Sequence, residues 1–289
     1  MSAPLTNRHD ILVLFEVTNG NPNGDPDSGN MPRVDPSTGR GLVSDVCLKR
    51  KIRNFALLAK SGQPPFDIFV QQGSVLNDKI LDGHKAAGND VDGKKKTADR
   101  KQVQSARAEM CKRFFDVRTF GAVMSTGSNA GQVRGPVQIS FSRSIDPILP
   151  LDLSITRMAV TEAKEADAPN QTMGRKNLIP YGLYRCHGFI SAHLANETGF
   201  SDDDLALFWQ ALTQMFDHDR SAARGTMSPQ KLVVFKHQSK LGDAPAHKLF
   251  ERVTVQRKSG VAVARAFSDY DVTVNKSDLP AGIEVLEPL

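Results

Sequence analysis

The chain has 289 residues, 39% of them apolar and 24% charged, with 37 Lys/Arg against 32 Asp/Glu for a net charge of +5. That composition furnishes one large hydrophobic core or two modest ones, and it excludes disorder, collagen-like repetition and coiled coil as descriptions of the whole chain. Apolar runs such as Ile11–Phe15 are too short to span a bilayer, and MSAPLTNRHD lacks the basic patch and apolar stretch of an export signal, so no membrane partner and a cytoplasmic location are expected.

The first element is a buried strand at Asp10–Thr18, rich in Ile, Val, Leu and Phe with little alternation. It runs into NGNPNGDPDSGN and then DPSTG (Asp35–Gly39), a long loop whose Asn, Gly, Pro and Asp leave no room for a regular element. A loop of that length between two strong elements favours a functional role. A helix follows, with Ser44 as N-cap and Asp45 in its positive first turn. Leu48, Ile52, Phe55 and Ala59 form its core face. Lys49, Arg53 and Lys60 share a flank beside it, where they either read phosphates or sit in water.

A second strand is expected at Phe66–Gln71. Residues 74–116 read as a polar, basic, partly helical insertion broken at Gly83, Gly88 and Gly93. Charge segregates here: residues 1–150 hold 21 basic and 15 acidic side chains, the remainder 16 and 17. Nine of the basic ones (Lys94, Lys95, Lys96, Arg100, Lys101, Arg107, Lys112, Arg113, Arg118) fall within 94–118. Such clustering points to a polyanion partner, or to a solvated mixed-charge helix.

Phe120–Met124 and Val137–Phe141 read as strands separated by STGSNAGQVRGP. Residues 154–180 fit a projecting hairpin or a disordered loop. Tyr181–Leu194 reads as a long strand with Tyr184, Cys186, Ile190, Ala192 and Leu194 on its apolar face. Arg185, His187, Phe189 and His193 lie on the other, a pattern compatible with single-stranded nucleic acid or with an ordinary exposed face. Ser201–His218 is a helix opened by a Ser201/Asp204 capping box. Leu205, Phe208, Trp209, Leu212, Met215 and Phe216 make it amphipathic, placing the lone Trp in the core. Leu232–Phe235 and Val253–Val255 are later strands. This order predicts an α+β fold with one antiparallel sheet, as one domain over 1–289 without internal repeats.

Motifs for chemistry are scarce. Gly88–Lys94 nearly spells a phosphate loop, but Lys95 stands where Ser or Thr is needed. Asn19, Asn21, Asn23 and Gly24 mimic the start of a calcium loop whose twelfth position, Asn30, cannot supply the bidentate carboxylate. Cys47, Cys111 and Cys186 match neither a disulfide framework nor a zinc site. The seven histidines are scattered, Asp217-His218-Asp219 ends a helix, and no Gly-x-Ser-x-Gly occurs. No catalytic residue, metal or cofactor is expected.

At the long loop and first helix the residues become specific. NGNPNGDPD (Asn19–Asp27), GNMPR (Gly29–Arg33), DPSTG (Asp35–Gly39) and SDVCLKRKIRN (Ser44–Asn54) resemble the Csd-type backbone subunit of type I-C CRISPR–Cas systems, a member of the Cas seven family. The resemblance continues through FGAVMSTGSNAGQVRGPVQISFSRS and NLIPYGLY and covers most of the chain.

The resemblance implies an RNA-recognition-motif-like (ferredoxin-like) palm with an antiparallel sheet and inserted finger and thumb regions, the last over 154–180. It implies a non-catalytic subunit that binds CRISPR RNA and polymerises along it within the Cascade surveillance complex, supporting pairing with a target DNA strand in antiviral defence. The partners implied are the guide RNA, the target strand, further copies of the chain, the guide-processing, large and small subunits of Cascade, and indirectly a recruited nuclease–helicase. Guide binding that tolerates every spacer must act on phosphates and 2′-hydroxyls. The matching helix places Ser44, Lys49, Arg50 and Arg53 against the guide. Asn19, Asn21, Asn23 and Arg33 offer amide and guanidinium contacts, although Asn and Gly serve turns equally well. The loop Ser125, Gly127 and the following Arg134 would let an RNA backbone approach. Met173 and Arg175 of the thumb would wedge and kink the guide.

The RNP aromatics of sequence-specific RNA-recognition motifs are absent. Two other readings stay open. Type III relatives cut RNA with an acidic residue of the first loop, where this chain has Asp25, Asp27 and Asp35. A free-standing RNA-binding regulator is the other.

Overall fold

The structure is a computed structural model that describes residues 3–91, 99–157, 159 and 172–289. Its centre is strand β1 (His9–Gly20). Ile11, Val13, Phe15 and Val17 face one side, Leu12 and Leu14 the other, and all are buried. Burial on both faces explains why this stretch reads as an unbroken apolar run. Strands β10 (Thr172–Ile190) and β11 (Thr226–His237) flank it antiparallel. Beyond β10 lie β8 (Ser142–Pro147) and β4 (Arg40–Val43); beyond β11 lies β14 (Ile283–Leu286). Two further strands, β7 (Val137–Ile139) and β9 (Leu151–Arg157), pair with the two ends of β10.

Helices α1 (Asp45–Lys60) and α6 (Asp202–Gln214) pack side by side on the Ile11/Val13/Phe15 face. The order β11-β1-β10-β8, antiparallel throughout with both helices on one side, is the split βαβ order of ferredoxin-like folds. The expected α+β class with a large antiparallel sheet is therefore realised. Helix α7 (Ala246–Phe250) and the hairpin of β12 (Val253–Arg257) with β13 (Tyr270–Val274) pack on the other face, against Leu12, Leu14, Val233 and Phe235. A third cluster joins α2 (Leu76–Ala86), α3 (Arg100–Arg113), α4 (Phe115–Phe120) and the hairpin of β5 (Gly121–Met124) with β6 (Gly131–Arg134).

Several local expectations are corrected. Residues 66–71 form no strand, although Ile68 and Phe69 are 2% exposed. Side chains replace the ladder: Asp116 accepts the N–H groups of Phe69 and Val70, and Asp67 accepts that of Ile68. Gly83 does not break its helix. It lies inside α2, and a β-carbon there would press on Met110 Sδ at 2.6 Å, so its smallness serves packing against α3. Gly88, at φ 72, follows the helix end; Gly93 lies outside the described residues. The long strand β10 begins nine residues earlier than expected and stops at Ile190, because Ser191 caps α5 (Ala192–Thr198) with a bond from Leu194 N–H. His193 therefore sits on a helix and not beside Phe189.

The basic stretch is also not one surface. Arg118 is 1% exposed and pairs with Asp204 through Nε–Oδ2 at 2.9 Å and Nη2–Oδ1 at 2.6 Å. Arg113 pairs with Asp67, and Lys112 with Glu109. Lys94, Lys95 and Lys96 lie outside the described residues.

Candidate nucleic-acid interface

The asparagine-rich loop folds by satisfying its own backbone. Asn23 Oδ1 accepts both the N–H and the hydroxyl of Ser44 at 2.9 Å, while Ser44 Oγ accepts Cys47 N–H at the first turn of α1. Asn21 is 7% exposed and donates to the Asn30 carbonyl at 2.6 Å. The short strands β2 (Gly24–Asp25) and β3 (Met31–Pro32) close the loop on itself. Gly20 is a close approach: a β-carbon there would overlap the Arg224 carbonyl, and Asn21 N–H bonds to the Ala223 carbonyl at 2.8 Å. Asn21 and Asn23 thus serve the loop's architecture, as the turn-forming reading allows. Of Asn19, Asn21 and Asn23, Asn19 is the exposed one, at φ 48. Arg33 pairs with Asp25 at 3.3 Å, and its buried Nε has no hydrogen-bond partner among the described residues.

Along α1, Lys49 and Arg53 both lie over the Phe120 ring, at 5.7 and 5.2 Å. Lys49 pairs with Asp45 one turn back at 2.9 Å; Arg53 pairs with Asp116 at 2.7 Å. The two are not equivalent. Lys49 is 14% exposed, but its partner Asp45 is 23% exposed and sits at the helix N-terminus, where the dipole favours a carboxylate even if a phosphate takes Lys49. Arg53 is held by a carboxylate that is 1% exposed, and leaving it would strand a buried charge. Arg50 points elsewhere, to Asn54 and Gln72.

The β5–β6 hairpin starts where the Phe120 ring ends, with Gly121 opposite Arg134. Arg134 is exposed and has no ion-pair partner among the described residues. The connecting loop is stapled to α2 through Thr126 Oγ1–Asn77 Oδ1 at 2.8 Å and a His84–Asn129 contact at 3.3 Å. Ser125 is exposed at its rim, and Gly127 takes φ 60 against Asn77.

Met173 and Arg175 lie on β10 opposite Thr156 and Ser154 of β9. Met173 is 70% exposed, and Arg175 pairs with Asp152 at 3.1 Å. Residues two apart share a face, so Met173, Arg175 and Asn177 lie on one side of this hairpin. Asn177 donates to the Gly29 carbonyl at 2.9 Å, which ties that side to the asparagine loop. Residues 160–171 of the expected thumb lie outside the described residues.

The aspartates of the loop are engaged separately. Asp25 pairs with Arg33 and caps a short turn at Asp27, while Asp35 pairs with Arg143 at 2.7 Å, which holds its carboxyl below the usual range. Among the described residues, no three His, Cys, Asp or Glu side chains converge in a way that would hold a metal. No helix among them is long and apolar enough to cross a membrane.

Sequence reasoning missed Lys51, Arg224 and Asp219. Lys51 is 2% exposed and, with Arg224, pairs with Asp219 beneath the asparagine loop. Nothing in the helical spacing marks Lys51 as buried, because its partner lies 168 residues away. It also missed Arg40 and Arg143, on the outer strands of the sheet, and Arg257, on the β12–β13 hairpin, which together line one groove with Arg185.

The sequence matches the family described as CRISPR-associated protein Cas7 over residues 7–275. A protein named CRISPR-associated protein Cas7 from Haloferax volcanii is 27% identical over 229 residues, covering 71% of this chain and 64% of that protein. The chain thus spans less than two thirds of that relative's length. Among solved structures, a chain of a "CRISPR RNA-guided surveillance complex, pre-nicking" superposes with TM-score 0.50 at 14% identity, covering 79% of this chain and 78% of that one. A chain of a second CRISPR RNA-guided surveillance complex gives TM-score 0.47 at 14% identity, covering 79% and 68%.

Proposed function

This chain belongs to the CRISPR-associated Cas7 family, and on that premise we propose that it is a non-catalytic backbone subunit of a type I-C Cascade complex. It binds CRISPR RNA, polymerises along it and supports pairing with the target DNA strand. Its partners are further copies of itself, the guide-processing, large and small subunits and, indirectly, a recruited nuclease–helicase. The ferredoxin-like sheet with α1 and α6 is the palm, residues 74–116 the finger-like insertion and 154–180 the thumb.

The observation that carries this reading is the joint between the asparagine loop and α1. Asn23 fixes Ser44, Ser44 caps the helix, and Asn177 ties the same loop to the β9–β10 hairpin. One rigid loop thereby unites a helix N-terminus, a cation flank and a projecting hairpin, and a helix N-terminus favours phosphate. Phosphate contacts fall to Lys49, Arg33 and Arg134, and to Arg50 once it leaves Asn54 and Gln72, with Ser44, Asn19, Ser125 and Gly127 at the rim. Asn21 and Asn23 shape the loop, and Arg53 anchors α1. Met173 and Arg175 meet the bases.

RNA binding by such a subunit is length-dependent and blind to sequence. Native mass spectrometry with unrelated RNAs of increasing length is expected to give a copy number that rises in steps with length. A fixed monomer or dimer on every RNA, or preference for one sequence, would favour the regulator reading instead.

A further inference from the structure

The face of the sheet opposite α1 and α6 is only partly covered. Arg185, His187 and Phe189 of β10 point to it. Arg185 donates from Nη2 to the Phe250 carbonyl at 2.8 Å, from Nη1 to the Val253 carbonyl at 3.2 Å and from Nε to His187 Nε2 at 3.0 Å. His187 stacks on Phe250, with ring centroids 4.3 Å apart. Between this corner and the outer strands β8 and β4 the sheet is open. A groove of about 820 Å³ runs there, lined by Arg40, Phe141, Arg143, Arg185, Gln256 and Arg257. It continues past Arg185, His187 and Gln256 into a second groove of about 670 Å³ that reaches Phe189 and His247.

Arginines outnumber acidic side chains along this groove, whose lining includes Asp146 and, at its far end, Glu251, which pairs with Lys248. Arg143 has Asp35 and Arg257 has Asp146, at 2.7 and 3.7 Å. Arg40 has no acidic partner among the described residues, and the three bonds of Arg185 all go to neutral groups. His187 is neutral near pH 7, because burial and then Arg185 lower its pKa to about 4. A half-buried guanidinium without a counter-ion is costly, and two of its five N–H groups remain for an anion. Phe141 and Phe189, 53% and 39% exposed, flank the two ends of the groove. Unbalanced arginines along a channel with exposed aromatic faces suit a sugar–phosphate backbone with stacked bases.

We propose that this groove is a second nucleic-acid site, taking a single strand by its phosphates at Arg40, Arg143, Arg185 and Arg257 and by base stacking on Phe141 and Phe189. It lies across the sheet from α1, and it does not depend on the assignment of the first site. The sequence alternation marks Arg185, His187 and Phe189 but not the groove, since Arg40, Phe141, Arg143 and Arg257 come from three other segments.

The test uses the full-length protein, with and without its co-purified nucleic acid, and a labelled 20-nucleotide oligo-dT. Ultraviolet crosslinking is expected to map to the Phe141 and Phe189 peptides in both forms. The double variant R40A/R257A is expected to weaken binding about tenfold or more at 0.1 M salt and to lower the salt slope by about 1.4, at about 0.7 per single-strand phosphate contact. The variant F141A/F189A is expected to weaken binding at least about fivefold with the slope unchanged, and R40K is expected to restore most of the R40A loss. All these side chains are exposed or rim-placed, and thermal melting checks that each variant folds. Wild-type affinity and slope in both double variants, or crosslinks confined to the asparagine loop and α1, would overturn the proposal. So would equal displacement of the oligonucleotide by polyglutamate of the same charge, which would mark an acidic-protein surface.

Discussion

Arg53 Nε donates to the Asp116 carboxylate at 2.7 Å, bolting helix α1 to α4 where Asp116 is 1% exposed. The same carboxylate accepts the N–H groups of Phe69 and Val70 at 2.7 and 3.0 Å. It therefore organises three segments, and Arg53 neutralises it. Lys49, one turn away over the same Phe120 ring, has the i,i+4 partner Asp45 as its ion pair among the described residues. Two cations that look alike in the sequence have different work.

Substitution separates them. Arg53→Ala leaves a buried carboxylate uncompensated and is expected to cost about 2–4 kcal/mol in urea unfolding. Lys49→Ala is expected to cost clearly less, about 1 kcal/mol, since Asp45 stays partly exposed at the helix N-terminus, while weakening every RNA alike and lowering the salt slope by about 0.7. Equal destabilisation by both variants would contradict this division.

The pair Arg118–Asp204 makes a sharper case. Both side chains are 1% exposed, and Asp204 also closes the capping box of α6. Removing one partner, as in Asp204→Ala, is expected to cost about 3–5 kcal/mol. The apolar double variant R118M/D204L is expected to recover part of that loss, because no charge is then left buried. A double variant no more stable than Asp204→Ala would show that the loss does not come from the stranded Arg118 charge.

Two glycines of the asparagine loop give a contrast. Gly29 has a positive φ of 60 and nothing near its missing β-carbon, so Gly29→Ala is expected to cost about 1 kcal/mol of local strain. Gly20→Ala forces the chain off the Arg224 carbonyl and breaks the Asn21–Ala223 contact. Limited proteolysis is expected to cut residues 19–33 faster in Gly20→Ala than in Gly29→Ala. Equal rates would show that the loop does not depend on that close approach.

Acid stability reads out His187. Its pKa is lowered to about 4 by burial and by Arg185, and that of His9 to about 4 chiefly by burial. Between their ordinary value of about 6.5 and pH 4 the unfolded chain binds protons that the folded one refuses. Stability is therefore expected to fall as pH drops through that window and to lose nothing further from these groups below it. His187→Gln keeps an acceptor for Arg185 and is expected to make the fall shallower. The change is less than the about 1.4 kcal/mol per pH unit of one full proton, since the ring is only part-buried. Urea unfolding at pH 7, 6 and 5 measures it, and an unchanged slope would place His187 outside the titration.

The elements most legible in the sequence were those with strong periodicity or caps. The β1 run, the α1 face from Leu48 to Phe55 and the Ser201/Asp204 box each state their role locally. Residues 66–71 misled because the acceptor of Phe69 and Val70 is the Asp116 carboxylate, 47 residues on from Phe69, which no window of alternation can see. Arg118 misled in the same way: its charge joins a basic run in the sequence, while its partner is 86 residues away. At the candidate site, Ser44 was legible as a cap, whereas the commitments of Asn21, Asn23 and Arg53 required the fold. The groove arginines come from four segments and were readable only in part, through the alternation of β10.

The most direct test is to purify the tagged protein from its native host and sequence the nucleic acid that survives nuclease treatment. The account predicts protected CRISPR guides carrying spacers of every sequence, lost or shortened when Lys49 and Arg134 are both replaced by Ala. Protected RNA sharing one sequence motif, or none at all from a folded protein, would contradict it.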